Sequence, residues 1–163
     1  MAIKDKLVTA AVAASLVVAG ALASKFEGIR FVAYQDPVAI TTVCEGHTGP
    51  DVVRGKVYTP TECAAFKRAD LLEAHSTVER CITSPLTTGQ RASLIDFAYN
   101  VGPGGKGVKD GLCFLKSGAQ PTIRKLFNAG EYSRACAEFP KWNAQKLPGI
   151  TKRREAERLV CVG

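Results

Sequence analysis

Within one short stretch of this 163-residue chain, Glu27, Asp36, Thr42 and His47 bring together two carboxylates, a hydroxyl and an imidazole. Glu27 follows an apolar, helix-like run, Asp36 sits in a turn signal before Pro37, and Thr42 falls in a β-branched segment, 38–44, that reads as a strand. An acid, a base and a group that holds water are what cleavage of a glycosidic bond requires. One carboxyl must protonate the leaving oxygen while the other handles water or the anomeric carbon. The nine-residue spacing of Glu27 and Asp36 does not decide the matter, because such carboxylates are more often ordinary surface residues.

The elements that must position these groups begin at the N-terminus. Residues 1–24 open with Lys4 and Lys6 and continue in an apolar run, 7–23, interrupted by Thr9 and Ser15, which is an export signal in outline. As a helix that run is about 25 Å long against a hydrocarbon core of about 30 Å, so it spans marginally. Its Ala and Val content and its lack of aromatics give it a small free energy of residence in lipid. Ala21-Leu22-Ala23 has the small-x-small pattern of a signal-peptidase site. Cleavage there would leave Glu27 as the fourth residue of the mature chain, with no helix before it to fix a catalytic carboxyl, and this favours retention.

Gly28 closes the first helix, 33–37 reads as a loop, and a second strand is expected over 51–58 after the Gly49-Pro50 turn. Thr59-Pro60-Thr61-Glu62 combines an N-cap, a first-turn Pro and a capping Glu, opening a long helix towards Cys81 with Leu71, Ala74 and Val78 as its buried stripe. Thr87 and Gln90 repeat the capping pattern before a helix over 91–99. The Gly102–Gly105 loop lacks the Lys-Ser/Thr ending of a phosphate loop. Further helices are expected over 112–116, 121–129, 132–139 and 151–160, with Lys152, Arg153 and Arg154 on solvated faces unless a site recruits them. Trp142 reads as core. The chain is α+β and mainly helical, one compact domain with a small sheet lobe near the N-terminus.

Charge and cysteines narrow the function class. Twenty-two basic against 15 acidic residues, a formal +7, favour an anionic partner such as a membrane surface or a cell-wall polymer. The absence of zinc-finger spacing and RNA-binding aromatics weighs against nucleic acid. Six cysteines without a C-x-x-C pair argue against a zinc ribbon and fit three disulfides in an oxidising compartment, for which fifteen pairings exist, with six buried free thiols in a cytosolic protein as the alternative.

With these residues in place the chain resembles the phage-type lysozymes of glycoside hydrolase family 24, most closely their signal-arrest-release endolysins of the lambdoid phage 21 kind. The resemblance runs from about Lys25 to Cys161. It rests on Glu27-Gly28 with Arg30, Ala33-Tyr34, Asp36 and Thr42, on Gly46-His47-Thr48, on Tyr99-Asn100-Val101-Gly102, and on Gly149-Ile150-Thr151 with Arg153-Arg154-Glu155. It implies a lysozyme-like fold with an active-site cleft between lobes. It maps Glu27 to the general acid, Asp36 to the carboxylate beneath the sugar ring and Thr42 to the positioning of water. The implied reaction is hydrolysis of the β-1,4 bond between N-acetylmuramic acid and N-acetylglucosamine in peptidoglycan, with inversion if the carboxyls are about 6.5 to 9.5 Å apart.

Tyr34, Asn100 and Arg153 are candidate substrate contacts, with Asn100 and Tyr99 equally readable as a helix cap and a core aromatic. His47 reads as a structural, hydrogen-bonded residue beside the site. Many members of the family carry Gly where this chain has Ala39 and Cys44, so a local difference in turn geometry is expected. No cofactor or metal is implied, and a monomer is expected.

The resemblance also gives the N-terminus a role. Residues 1–24 become an uncleaved, weakly hydrophobic anchor holding an inactive enzyme at the periplasmic face of the host inner membrane, and residues 25–163 the catalytic domain, soluble in the periplasm after release. The anchor contains no Cys, which excludes activation by thiol exchange from it and leaves refolding of the segment as a soluble helix. The favoured disulfides join Cys44 to Cys63, Cys81 to Cys113 and Cys136 to Cys161, each linking neighbouring elements. The competing readings are a lytic transglycosylase, against which Asp36 and Thr42 argue, and a non-enzymatic protein whose basic, apolar N-terminus permeabilises bilayers.

Overall fold

The computed structural model describes residues 3–35 and 39–163, with side chains described from residue 9 onward, so that Asp36 lies outside the described residues. The Ala- and Val-rich run forms a single helix, α1 (Ile3–Phe26), which passes residue 24 without a break. Its hydrogen bonding reaches the first candidate residue, because the Glu27 amide donates to the Ala23 carbonyl at 2.9 Å. Ser15, Ala19, Leu22 and Ala23 of α1 are buried, and Ala19 belongs to the main core. Ala10, Ala13, Ala14, Val17 and Ala21 face outward.

A three-stranded antiparallel sheet follows, in the order β1 (Arg30–Gln35), β2 (Thr41–Cys44) and β3 (His47–Thr48). The structure corrects the expected strands. Residues 33–35, read as a loop, belong to β1, where Phe31, Val32 and Tyr34 supply strand-favouring side chains. Residues 51–58 do not form a strand, since Asp51, Arg54, Gly55 and Lys56 give no apolar alternation. A phenol holds that segment instead, with Tyr58 Oη accepting from the Val53 amide at 2.7 Å and donating to the Asp51 carbonyl at 3.3 Å. Its end is tied to β1 by the Tyr58 amide on the Phe31 carbonyl at 2.7 Å.

Ala39 and Cys44, the positions where a local difference in turn geometry is expected, have left-handed backbone at φ 63° and 59°. Each pays about 1 kcal/mol of backbone strain for a side chain in that region.

Helix α2 (Pro60–Cys81) carries a complete capping box, with the Glu62 amide on Thr59 Oγ1 at 3.2 Å and the Thr59 amide on Glu62 Oε2 at 2.8 Å. Helix α3 (Thr88–Val101) repeats it with Thr87 and Gln90. Residues 92–98 of α3 are all buried, as expected of a helix surrounded by others, and α1, α2 and α6 (Pro148–Val162) pack around it. Gly89 is required for that packing, because a Cβ there would lie 2.3 Å from the Val160 carbonyl of α6. Between α3 and α6 come α4 (Thr122–Asn128), α5 (Tyr132–Cys136) and a 3₁₀ turn, Phe139–Lys141, that carries Pro140.

The expected helix over 112–116 is absent. The Leu112 and Cys113 amides bond to the Gly102 and Pro103 carbonyls at 3.0 and 2.9 Å, which withdraws them from a helical ladder. Trp142 packs edge-on against Phe97 at 4.9 Å. Disulfides join Cys44 to Cys63, Cys81 to Cys113 and Cys136 to Cys161.

Candidate active site

A cleft of about 400 Å³ lies between the sheet and the helices. Glu27, Tyr34, Thr42, Gly46 and Thr48 line its sheet side, and residues of α2 and of the end of α3 line the other. Glu27 enters at the C-terminal end of α1, its side chain about one quarter exposed. Gly46 lies beside it: at φ 87° the turn between β2 and β3 takes a backbone that suits glycine, although a Cβ there would make only ordinary contact with Glu27 Oε2 at 3.6 Å. Thr42 pairs with Tyr34 on one side and Thr48 on the other, so these three side chains share one face of the sheet. The Thr42 hydroxyl donates to the Ile40 carbonyl at 3.1 Å, which leaves its lone pairs for a water or a substrate hydroxyl.

Of the candidate substrate contacts, Tyr34 and Asn100 line the cleft. Arg30 stacks over the Tyr34 ring at 4.4 Å and fixes its plane. The Asn100 Oδ1 accepts from Arg154 Nη2, which turns the amide N–H groups to other partners. Tyr99 also lines the cleft, and its hydroxyl donates to the Glu45 carbonyl at 2.6 Å. Burial, and then the negative charges of Asp70, Glu27 and Glu45, push its phenol well above the ordinary range, so it remains a donor.

Arg153 is the correction. Expected among substrate contacts, it is 2 % exposed and sits behind Glu27, bonded to Glu27 Oε1 through Nη1 and to Asp96 through Nε and Nη2 at 3.1 and 2.8 Å. Arg154, expected on a solvated face, is 1 % exposed and bonds to Glu157 and Asn100. Asp96 and Glu157 were not singled out from the sequence. The available signal was Asp96 inside the apolar run Leu94-Ile95-Asp96-Phe97, a carboxylate where a helix surrounded by others tolerates one only if it is paired.

His47 does not reach the cleft as a free base. Its Nδ1 bonds to Asp70 at 2.9 Å, its Nε2 to Asp51 at 3.2 Å, and its ring stacks on Phe66 at 4.0 Å, bracketing β3 to α2. Burial raises the Asp70 carboxyl above its usual range, an effect that the His47 contact partly offsets. A second bracket closes over the end of α1, where Lys67 of α2 pairs with Glu45 at 2.7 Å and donates to Ser24, whose hydroxyl bonds to Glu45 at 3.1 Å. The arrangement offers a carboxyl backed by a guanidinium, opening on a groove with hydroxyl-bearing residues on both walls. That can deliver a proton to a bound oxygen.

Comparison with known proteins identifies the family and the fold. The family described as phage lysozyme matches residues 24–157. The SAR-endolysin of Bacteriophage PS119 is 34% identical over 139 residues, which cover 83% of this chain and 76% of that protein. The SAR-endolysin of Enterobacteria phage P21 is 32% identical, over 83% of this chain and 77% of its own. Among solved structures, the active form of the P1 phage endolysin Lyz superposes with a TM-score of 0.72 at 24% identity, covering 88% of this chain and 83% of the other, which shows the shared fold.

Proposed function

The chain belongs to the phage lysozyme family, and from that premise we propose that it is an endolysin that hydrolyses the β-1,4 bond between N-acetylmuramic acid and N-acetylglucosamine, held inactive by an N-terminal membrane anchor until that segment is released. The observation that carries the reading is the join between α1 and the cleft. The helix whose composition suits a bilayer, with an apolar window over Thr9–Phe26, is the one whose last turn holds the Glu27 amide. Docked, α1 places the Glu27 carboxyl at the cleft with Arg153 behind it. In lipid, the same residues would carry Glu27 away from Arg153.

In the proposed mechanism Glu27 protonates the leaving oxygen. Asp36 supplies the carboxylate on the other side of the sugar ring, and Thr42 holds the attacking water beside it, giving a single displacement with inversion. The localisation proposed is the periplasmic face of the host inner membrane, followed by the periplasm, with peptidoglycan as substrate.

The test is Glu27→Gln and Asp36→Asn, each assayed on purified peptidoglycan and in cells. Both are expected to lose wall hydrolysis and lysis while still folding. Mass analysis of wild-type digests is expected to show hydrolysed reducing ends, and magnetic resonance of the first-formed sugar the inverted anomer. Lysis by Glu27→Gln would overturn the enzymatic reading, and anhydro termini would make the protein a transglycosylase. Deletion of residues 2–23 is expected to cost most of the specific activity, and full activity would remove the refolding step.

A further inference from the structure

We propose that Asp96 is a positioning residue for Glu27, acting through Arg153; this rests on the reading of Glu27 as the acid. Asp96 has no exposed surface and lies in the middle of α3. A carboxylate in such a place is costly unless it is paired and hydrogen-bonded, and its pairing is two-pronged. A guanidinium carries its donors in one rigid plane. With Nε and Nη2 locked on the two Asp96 oxygens, Nη1 has its direction set, and it points at Glu27 Oε1.

A second buried carboxyl completes the arrangement. Glu157 lies with Oε1 at 3.8 Å from Arg153 Nε and bonded to Arg154, while its Oε2 is buried without a hydrogen-bond partner among the described residues. Burial first, and then the charge of Asp96, hold a proton on Glu157 well above the usual carboxylate range, against the pull of Arg154. Glu157 therefore stands beside Asp96 as a neutral carboxyl and adds no second negative charge next to Arg153. With Glu157 neutral, Asp96 supplies the negative charge that balances Arg153 on the side away from Glu27. Asp96 therefore aims the guanidinium and limits how strongly it holds Glu27 as a carboxylate.

The other charged or titratable groups of these surroundings are Arg154 on α6, Tyr99 on α3, Asp70 on α2, and Glu45, whose charge Lys67 pairs. None of them grips Arg153 by two bonds as Asp96 does.

The experiment compares full-length wild type, Asp96→Asn and Asp96→Glu on soluble glycan fragments. In Asp96→Asn, kcat is expected to fall about tenfold with KM unchanged, since Asp96 does not line the cleft. The alkaline limb of the pH profile is expected to move down by about half a pH unit, because Arg153 then holds the Glu27 carboxylate more firmly. A merely structural role would reduce the amount of active protein and leave the profile in place. Asp96→Glu restores the charge and is expected to return the limb towards wild type. Should Asp96→Asn fail to fold, Arg153→Lys keeps a cation behind Glu27 without the two-pronged bond, and is expected to lose kcat at constant KM. An unmoved profile in Asp96→Asn, or full kcat in Arg153→Lys, overturns the proposal. Neither result touches the muramidase reading, which falls if Glu27→Gln stays active or if the wild-type digest carries anhydro termini.

Discussion

Replacing Ala19 with Leu should loosen the docked N-terminal helix, whereas the same change at Ala21 should not. Both residues lie on α1, but Ala19 has no exposed surface and Ala21 faces outward. In lipid the two substitutions favour residence by similar small amounts, so their difference isolates docking. On the docked face, burial of Leu22 contributes about 2 kcal/mol and the methyls of Ala19 and Ala23 roughly 0.8 kcal/mol each, about 4 kcal/mol together. Forcing three extra carbons in at position 19 costs about 1 to 3 kcal/mol, a quarter to three quarters of that sum. Amide exchange in the last turn of α1 and at Glu27, whose N–H bonds to Ala23, should therefore accelerate about 5- to 150-fold in Ala19→Leu and change little in Ala21→Leu. Wall hydrolysis by Ala19→Leu should also fail at a lower temperature than global unfolding, because the helix that carries Glu27 opens first. Equal protection in the two variants would refute the argument, since Ala19 would then not be packed in solution.

Three further outcomes are expected. Lys67→Ala removes the partner of Glu45 and Ser24 and should raise exchange in the last turn of α1 without changing the main unfolding transition of the core, as read by exchange and calorimetry. Glu157→Gln should flatten the dependence of thermal stability on pH. Burial raises the native carboxyl of Glu157 to about 8, so its contribution is fully present below the unfolded carboxylate range and is lost as pH rises through that value; melting temperatures measured from pH 5 to 9 would show it. Replacing Cys44 and Cys63 together with Ala opens a loop whose ends are 19 residues apart and should cost about 3 kcal/mol on the chain-entropy account, measured by urea unfolding.

Much of the fold was legible because its signals are local. The capping boxes at Thr59 and Thr87 are decided within four residues; α2 begins where the sequence places it, and α3 begins at Thr88, directly after its cap and three residues before the expected 91–99. The grouping of Glu27, Thr42, Tyr34 and Asn100 was also legible, through the order of three short motifs, and these four residues line one cleft. Where the sequence misled, a distant group had won. The amides of residues 112 and 113 were taken by the 102–103 loop, and Tyr58 rather than a strand ladder held residues 51–58.

The sequence by itself determined an apolar N-terminal run ending at a glutamate, and a helical body with a small sheet. Composition and periodicity are properties of neighbouring residues, and these features depend on nothing else. Only the tertiary structure decided which face of α1 is buried and that Arg153 and Arg154 leave solvent. Both decisions depend on partners far along the chain: Ser15 meets the carbonyl of Thr88, and Arg153 meets Asp96 and Glu27 across 57 and 126 residues. A charged residue on an amphipathic helix reads as solvated until a buried carboxylate from another helix is shown to meet it. At Arg153 that meeting turns a surface cation into the support of the candidate acid.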